Sequence, residues 1–278
     1  MIVDTHVHVV AADRARYPLQ PPGVGSSWYL ECPVSAEEFT ADASAAGVDR
    51  AVLVQPYGAY GTDNRYAVDA ARAAPDRFVS VVVVDGVTPE LRRLGAEPTF
   101  GGVRLFAIGD PPLVTLDGAA ARAIARLARA DRFPLVATTL ADGLPALDEL
   151  LGAFPDLDVV LDHCGFADFT GGPPYLGAAP LFALARHERL VLKITSHVLE
   201  QAEGSGGDAR DLVGACADHF GGERLVWGSD WSQTHDRPYA ALVELGRHAC
   251  SRLSPGDRDQ VLAGNALRLW PALAGQSV

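Results

Sequence analysis

Residues 2–10 read IVDTHVHVV, an apolar run of strand length with His6 and His8 set two positions apart and Asp4 in the same phase. Alternate side chains of a strand share a face, so the two imidazoles converge on one side while Ile2 and Val7 report how apolar the setting is. Buried polar groups must find partners. Such a pair is either satisfied structurally, bound to a divalent cation, or free to donate two hydrogen bonds to a substrate carbonyl. The strand runs straight into these histidines with no glycine-rich turn, which separates it from the first strand of an open dinucleotide-binding sheet.

Seven further β-branched runs follow: Arg50 to Pro56, Phe78 to Val84, Gly101 to Ala107, Phe133 to Thr139, Leu157 to Cys164, Leu190 to Ser196, and Leu225 to Trp231. Stretches such as AAARAIARLARA and GLPALDELLGAF lie between them, with apolar residues at helical spacing and Gly or Pro at their ends. Several strands are almost continuously apolar, as strands covered on both faces must be, and strand alternating with helix implies parallel pairing through helical crossovers. Eight such units predict an α/β chain closed into a (β/α)8 TIM barrel, one domain over residues 1–278, with its active site at the C-terminal mouth.

The 35 acidic residues exceed the 23 Lys plus Arg by 12. The summed field repels polyanions and argues against nucleic acid or an anionic membrane, leaving a small-molecule substrate as the expected partner. No apolar run reaches the ~18 residues of a membrane span. Cys32, Cys164, Cys216 and Cys250 form no CxxC pair and no secretory leader precedes the first motif, so a cytoplasmic protein is expected. A homo-oligomer stays open.

Barrel geometry brings strand C-termini together, which selects the remaining candidates. His163 ends the sixth strand in VVLDHCG, as a third active-site imidazole or a satisfied core histidine. Asp230 ends the last strand in LVWGSDW, beside the first strand of a closed barrel; it reads as a general base, a metal ligand or a helix N-cap. Lys193 is the only lysine in the chain and lies in the apolar LVLKITS, while Arg104 lies in GGVRLFA. Either cation reaches substrate or neutralises a buried carboxylate such as Asp230 or Asp162. After the second strand, Gln55 and Thr62 in QPYGAYGTDNRY suit a polar pocket wall, with Thr62 or Asp63 also suited to cap the next helix. His235 and Arg237 follow the last strand on the same face, and His187, His219 and His248 fall on helices as surface residues. The aromatic loop from Ala11 to Pro33 reads equally as a flap over the mouth or as a segment packed outside it.

Taken in order, DTHVH, GVR, LDH, LK, WGSDW and the terminal GNALRLW resemble the amidohydrolase superfamily, and within it the branch containing 2-pyrone-4,6-dicarboxylate lactonase and sugar-lactone hydrolases. The resemblance implies a hydrolase in which Asp230 activates water, His6, His8 and His163 surround the attacked carbonyl, and Arg104 and Lys193 lie near substrate. Many superfamily members hold two metals through a carboxylated lysine and a strand-five histidine. Here that strand reads FPLVATT and offers neither. The expectation is therefore lactone hydrolysis with no cofactor required, with Lys193 and the histidines stabilising the oxyanion.

Three alternatives stand beside it. One is a mononuclear zinc hydrolase with Zn2+ on His6, His8 and Asp230. Another is a metal-dependent decarboxylase, which would want the missing strand-five histidine, and the last is a metabolite-binding barrel without catalysis. The arginine-poor LFAIGDPP after strand four fits a neutral sugar lactone or a monocarboxylated lactone better than a dicarboxylate.

Overall fold

Eight strands follow one another in sequence order around a single sheet: β1 Val3–Val7, β2 Arg50–Val54, β3 Phe78–Val83, β4 Phe100–Phe106, β5 Leu135–Thr138, β6 Val159–Leu161, β7 Leu190–Thr195 and β8 Leu225–Gly228. Each is parallel to the next. The computed structural model describes residues 1–275. Past the ends of β1 and β8 the sheet returns on itself: Val7 bridges Trp231 in parallel, the Asp230 amide donates to the His6 carbonyl (2.9 Å), and the His8 amide donates to the Trp231 carbonyl. The predicted (β/α)8 barrel is the observed architecture.

Side chains alternate as the pleat demands. Val3, Val52, Val54, Val79, Val81, Val136, Val160, Val191 and Val226 form one cluster inside the barrel, while their neighbours Ala51, Leu53, Leu135, Leu161, Leu192 and Leu225 pack outward with the helices. The C-terminal segment closes the far end of the barrel, with Ala263, Ala266, Leu269, Trp270 and Leu273 joining the inner valine cluster. The Trp270 indole N–H donates to the Gly101 carbonyl (2.7 Å) and the Asn265 amide to the carbonyls of Gly222 and Leu225 (both 2.8 Å).

Strands are shorter than the apolar runs suggest. Pro134 has no N–H for a ladder, and β5 starts one residue later. At the opposite end Val9, Val10, Gln55, Pro56, residues 162–164 and residues 229–231 lie beyond the strand ends, and Gln55, Asp162, His163, Ser229 and Asp230 are among them. Among the described residues no helix is long and apolar enough to cross a membrane.

The period-2 reading of β1 needs one correction. Register shifts between Asp4 and Val7, so Val3 points into the barrel together with His6 and His8 while Asp4 does not. Asp4 instead clips the β1–β8 seam: its carboxylate accepts from the amides of His6 (3.1 Å) and Ser229 (2.9 Å) and from the Tyr239 hydroxyl (3.0 Å). Gly228 lets the two strands approach, since a Cβ there would lie 2.7 Å from the His6 Cβ and 3.0 Å from its backbone nitrogen.

Candidate active site

Asp162, first residue past β6, is the hub of the site. Fully buried, it faces Lys193 Nζ (2.8 Å) and His6 Nδ1 (3.2 Å) through Oδ1, and Arg104 Nε (2.8 Å) and the Thr138 hydroxyl (2.7 Å) through Oδ2. Burial alone would raise its pKa; Lys193, His6 and Arg104 outweigh that and hold it well below the usual carboxylate range. Four strands, β1, β4, β5 and β7, each send one side chain to this carboxylate. The cations foreseen at Arg104 and Lys193 thus converge on Asp162. Lys193 is wholly enclosed, its Nζ also 3.2 Å from His6 Nδ1, so it touches His6 and Asp162 and does not reach the cavity wall.

Above this hub stand the imidazoles. His6 Nε2 and His8 Nε2 lie 3.2 Å apart, and each is 3.6 Å from Asp230 Oδ1. His8 Nδ1 is 2.8 Å from the Val54 carbonyl, an acceptor only, so Nδ1 carries the proton and the neutral ring turns a bare Nε2 toward Asp230. Trp28 stacks on His8 at 5.4 Å between ring centres. His163 comes from the other side, 4.9 Å ring to ring from His6, its Nδ1 2.9 Å from the Thr195 hydroxyl. Burial keeps all three rings neutral at ordinary pH: it drives His6 and His163 well below their usual pKa and His8 down to about 3.

Two of these residues sit on left-handed backbone. His163 (φ 53°), Cys164 (φ 50°) and Phe166 (φ 49°) make, with Gly165, a left-handed turn after β6, and Asp230 has φ 61° after β8. Left-handed conformation costs a non-glycine residue about 1–2 kcal/mol, and such cost collects at functional sites. It turns His163 and Asp230 inward where a continued strand would point them elsewhere. Asp230 Oδ2 accepts from the Thr234 hydroxyl (3.2 Å), but buried Oδ1 has no hydrogen-bond partner among the described residues. Burial pushes this carboxyl up to about 7.

The donor set fits a divalent cation. His6, His8 and Asp230 present ligand atoms within 4.8 Å of one another, the carboxylate oxygen unpartnered and at least one imidazole nitrogen bare. His6, Asp162 and His163 also cluster, but that carboxylate already answers two cations.

Beside the imidazoles lies a cavity of about 240 Å³. His8, His163 and Arg104 reach its wall, and Trp28, Tyr57, Phe106 and Phe166 supply aromatic surface. The loop after β1 does both things foreseen for it. Tyr17 packs with Val10, Ala11, Ala59 and Tyr60, its hydroxyl 2.7 Å from Asp69, while Val24, Gly25, Ser26 and Trp28 line the cavity.

The remaining candidates stand apart. Gln55 is buried and donates to the carbonyls of Gly61 (3.3 Å) and Asp63 (2.8 Å), holding the loop after β2 instead of lining the cavity. Thr62 is exposed, and the helix Arg65–Ala73 begins with neither Thr62 nor Asp63 but with Asn64 at its N-cap. Asn64 also braces the end of β3 through both polar groups of Val83 (2.7 and 2.9 Å). His235 lies outside the cavity lining, 3.4 Å from Glu31, and Arg237 pairs with Glu200 (3.0 Å). His197, which sequence reasoning passed over, opens the helix after β7 at 6.3 Å ring to ring from His163; its position directly behind a strand end was the available signal.

Residues 3–272 match the sequence profile of the amidohydrolase family. The L-fucono-1,5-lactonase of Burkholderia ambifaria is 30% identical over 81% of this chain and 81% of its own. The 4-sulfomuconolactone hydrolase of Rhizobium radiobacter is 25% identical over 82% of this chain and 74% of its own. A crystal structure of an amidohydrolase from Burkholderia multivorans with bound zinc superposes with a TM-score of 0.77 at 21% identity, covering 98% of this chain and 99% of that one.

Proposed function

The chain belongs to the amidohydrolase family, and on that premise we propose that it hydrolyses a small lactone, with Asp230 as general base. One observation carries the reading: a buried carboxylate with an unpartnered oxygen lies 3.6 Å from the neutral imidazoles of His6 and His8, and His8 and His163 border a small cavity with aromatic surface on its wall. That arrangement binds a water on its acceptor side and an ester carbonyl on its donor side. Relatives named for L-fucono-1,5-lactone and 4-sulfomuconolactone, both cyclic esters, support the substrate class.

In the proposed reaction Asp230 Oδ1 takes a proton from water as the oxygen adds to the lactone carbonyl. His163, fixed by Thr195, and His6, fixed by the Lys193–Asp162 pair, orient N–H groups toward the developing oxyanion. The ring oxygen then leaves as an alcohol or enol, receiving the proton held by Asp230. A preorganised oxyanion donor contributes about 3 kcal/mol and a positioned base about 3–5 kcal/mol, a sum suited to an activated ester and small for an amide. His6, His8 and Asp230 are the residues that would hold a zinc ion, whose chemistry there is to polarise the carbonyl and acidify water. The buried hub beneath them works in either case, locking His6 and neutralising the two cations.

The test is a panel of small lactones and matched lactams followed by acid release at constant pH, with and without chelator. Hydrolysis of at least one lactone, with lactams untouched, is the expected result. Lactam hydrolysis that vanishes with chelator and no opening of lactones would overturn the proposal.

A further inference from the structure

The cavity has two unlike sides. Its reacting end lies by the β1–β8 seam, where His8 reaches the wall and Asp230 stands behind it. That side also carries polar loop residues, Ser26 after β1 and Gln233 after β8, both exposed. Because the strands follow sequence order around the barrel, the loops after β4, β5 and β6 stand across the mouth from the seam. Each brings an apolar side chain to the cavity: Ile108, Leu140 and Phe166. Val24 of the long first loop joins them, packing with Ile108 against the buried Tyr57 and Phe106.

These side chains are only partly covered by protein. Ile108 and Phe166 are half-buried, and Leu140 is 43% exposed. A lone exposed leucine is ordinary on a protein surface. Among the described residues the exposed large apolar side chains are Met1, Leu30, Leu140 and Leu176, and of these Leu140 alone borders the cavity. It continues an apolar wall from the enclosed space out to solvent. The buried polar groups of the lining, Arg104, Thr138 and the Tyr57 hydroxyl, offer partners to oxygen atoms on the ring itself. At about 240 Å³ the cavity has room for one small ring. A substituent pointing away from the seam must therefore pass over Ile108, Leu140 and Phe166. An apolar group there is removed from water together with the rim, whereas a polar one loses water and gains no partner from these three side chains.

We infer, resting on the lactone reading above, that Ile108, Leu140 and Phe166 form a subsite for an alkyl or aryl substituent, and that the substrate is a small lactone with such an apolar group attached away from its ester bond.

The experiment follows acid release at constant pH from δ-valerolactone and its 4-methyl, 4-propyl, 4-pentyl and 4-methoxymethyl derivatives, each below its solubility limit, on the intact enzyme. From methyl to pentyl, kcat/KM is expected to rise about 2- to 4-fold per methylene, mainly through KM. The methoxymethyl compound matches propyl in length, and its kcat/KM is expected to fall at least about 5-fold below it. Leu140→Gln, at an exposed position, and Ile108→Thr are each expected to reduce the pentyl-to-methyl ratio at least about 2-fold, a readout that a general loss of folded enzyme does not move.

A series that is flat or falls with chain length while the unsubstituted ring is opened would overturn the inference and leave lactone hydrolysis standing. A rise that persists in full in both variants would also overturn it, placing the chain on another surface. If no lactone is opened, the lactone reading itself fails and takes this inference with it.

Discussion

Replacing Asp162 by Asn removes the one negative charge that Lys193 and Arg104 share, while keeping the shape and an acceptor for Thr138. Both cations are then buried without a counter-charge. Breaking a buried ion pair by neutralising one partner costs about 3–5 kcal/mol, and because one carboxylate serves both partners the lower figure is a floor. At about 2 °C per kcal/mol for a chain of this size, Tm should fall by at least about 6 °C. The pH dependence follows from the direction of the shift. A carboxyl held below its unfolded pKa stabilises the fold fully above about 3.9 and loses that contribution as pH falls through the lower folded value. The gap in Tm between wild type and Asp162→Asn should therefore be constant from pH 5 to 8 and close only in stronger acid. Thermal denaturation followed by circular dichroism measures it, and adding Lys193→Met should recover part of the loss. A Tm within about 2 °C of wild type at pH 7 would refute the idea that this carboxylate holds the site together.

Other consequences are equally concrete. With Asp230 pushed up to about 7 by burial and active only when ionised, kcat/KM of chelator-treated enzyme should rise through a limb near pH 7; a profile flat from pH 5 to 8 contradicts it. Bound zinc would hold the carboxylate ionised and move that limb to lower pH. Zinc titrated by calorimetry should bind near one equivalent, and His8→Ala should weaken it by at least about 10-fold; affinity unchanged in the variant would place the ion elsewhere. Gly228→Ala forces a methyl against the His6 backbone and should cost about 1–3 kcal/mol with loss of activity, whereas Gly152→Ala, where an added Cβ meets nothing within 4 Å, should be neutral or slightly stabilising. Equal melting temperatures for the two variants would remove Gly228 from the seam argument.

Much of this site can be read from the chain because barrel geometry does the selecting. Once eight apolar runs alternate with helices, their C-terminal ends must meet, and His6, His8, His163, Lys193, Arg104 and Asp230 fall near those ends whatever the loops do. What stays hidden depends on backbone that departs from the ladder. The shift in β1 that turns Asp4 away from the histidines has no residue signature, nor does a left-handed turn through His163, Cys164 and Phe166 beyond the glycine among them. Asp162 is visible as a carboxylate in need of cations, but its role as a shared anchor follows only from four strands converging. Gln55 and Thr62 lie off the cavity wall because a polar loop after a strand faces its own backbone as readily as a pocket, and here Gln55 closes onto Gly61 and Asp63.

Asp230→Asn on the best lactone of the panel tests the proposed chemistry most directly. The substitution keeps size and the bond to Thr234 while removing the base, so kcat should fall at least ~100-fold with Tm held or raised, because the buried charge is gone. Full activity in a folded Asp230→Asn protein would show that water is activated elsewhere and contradict the mechanism.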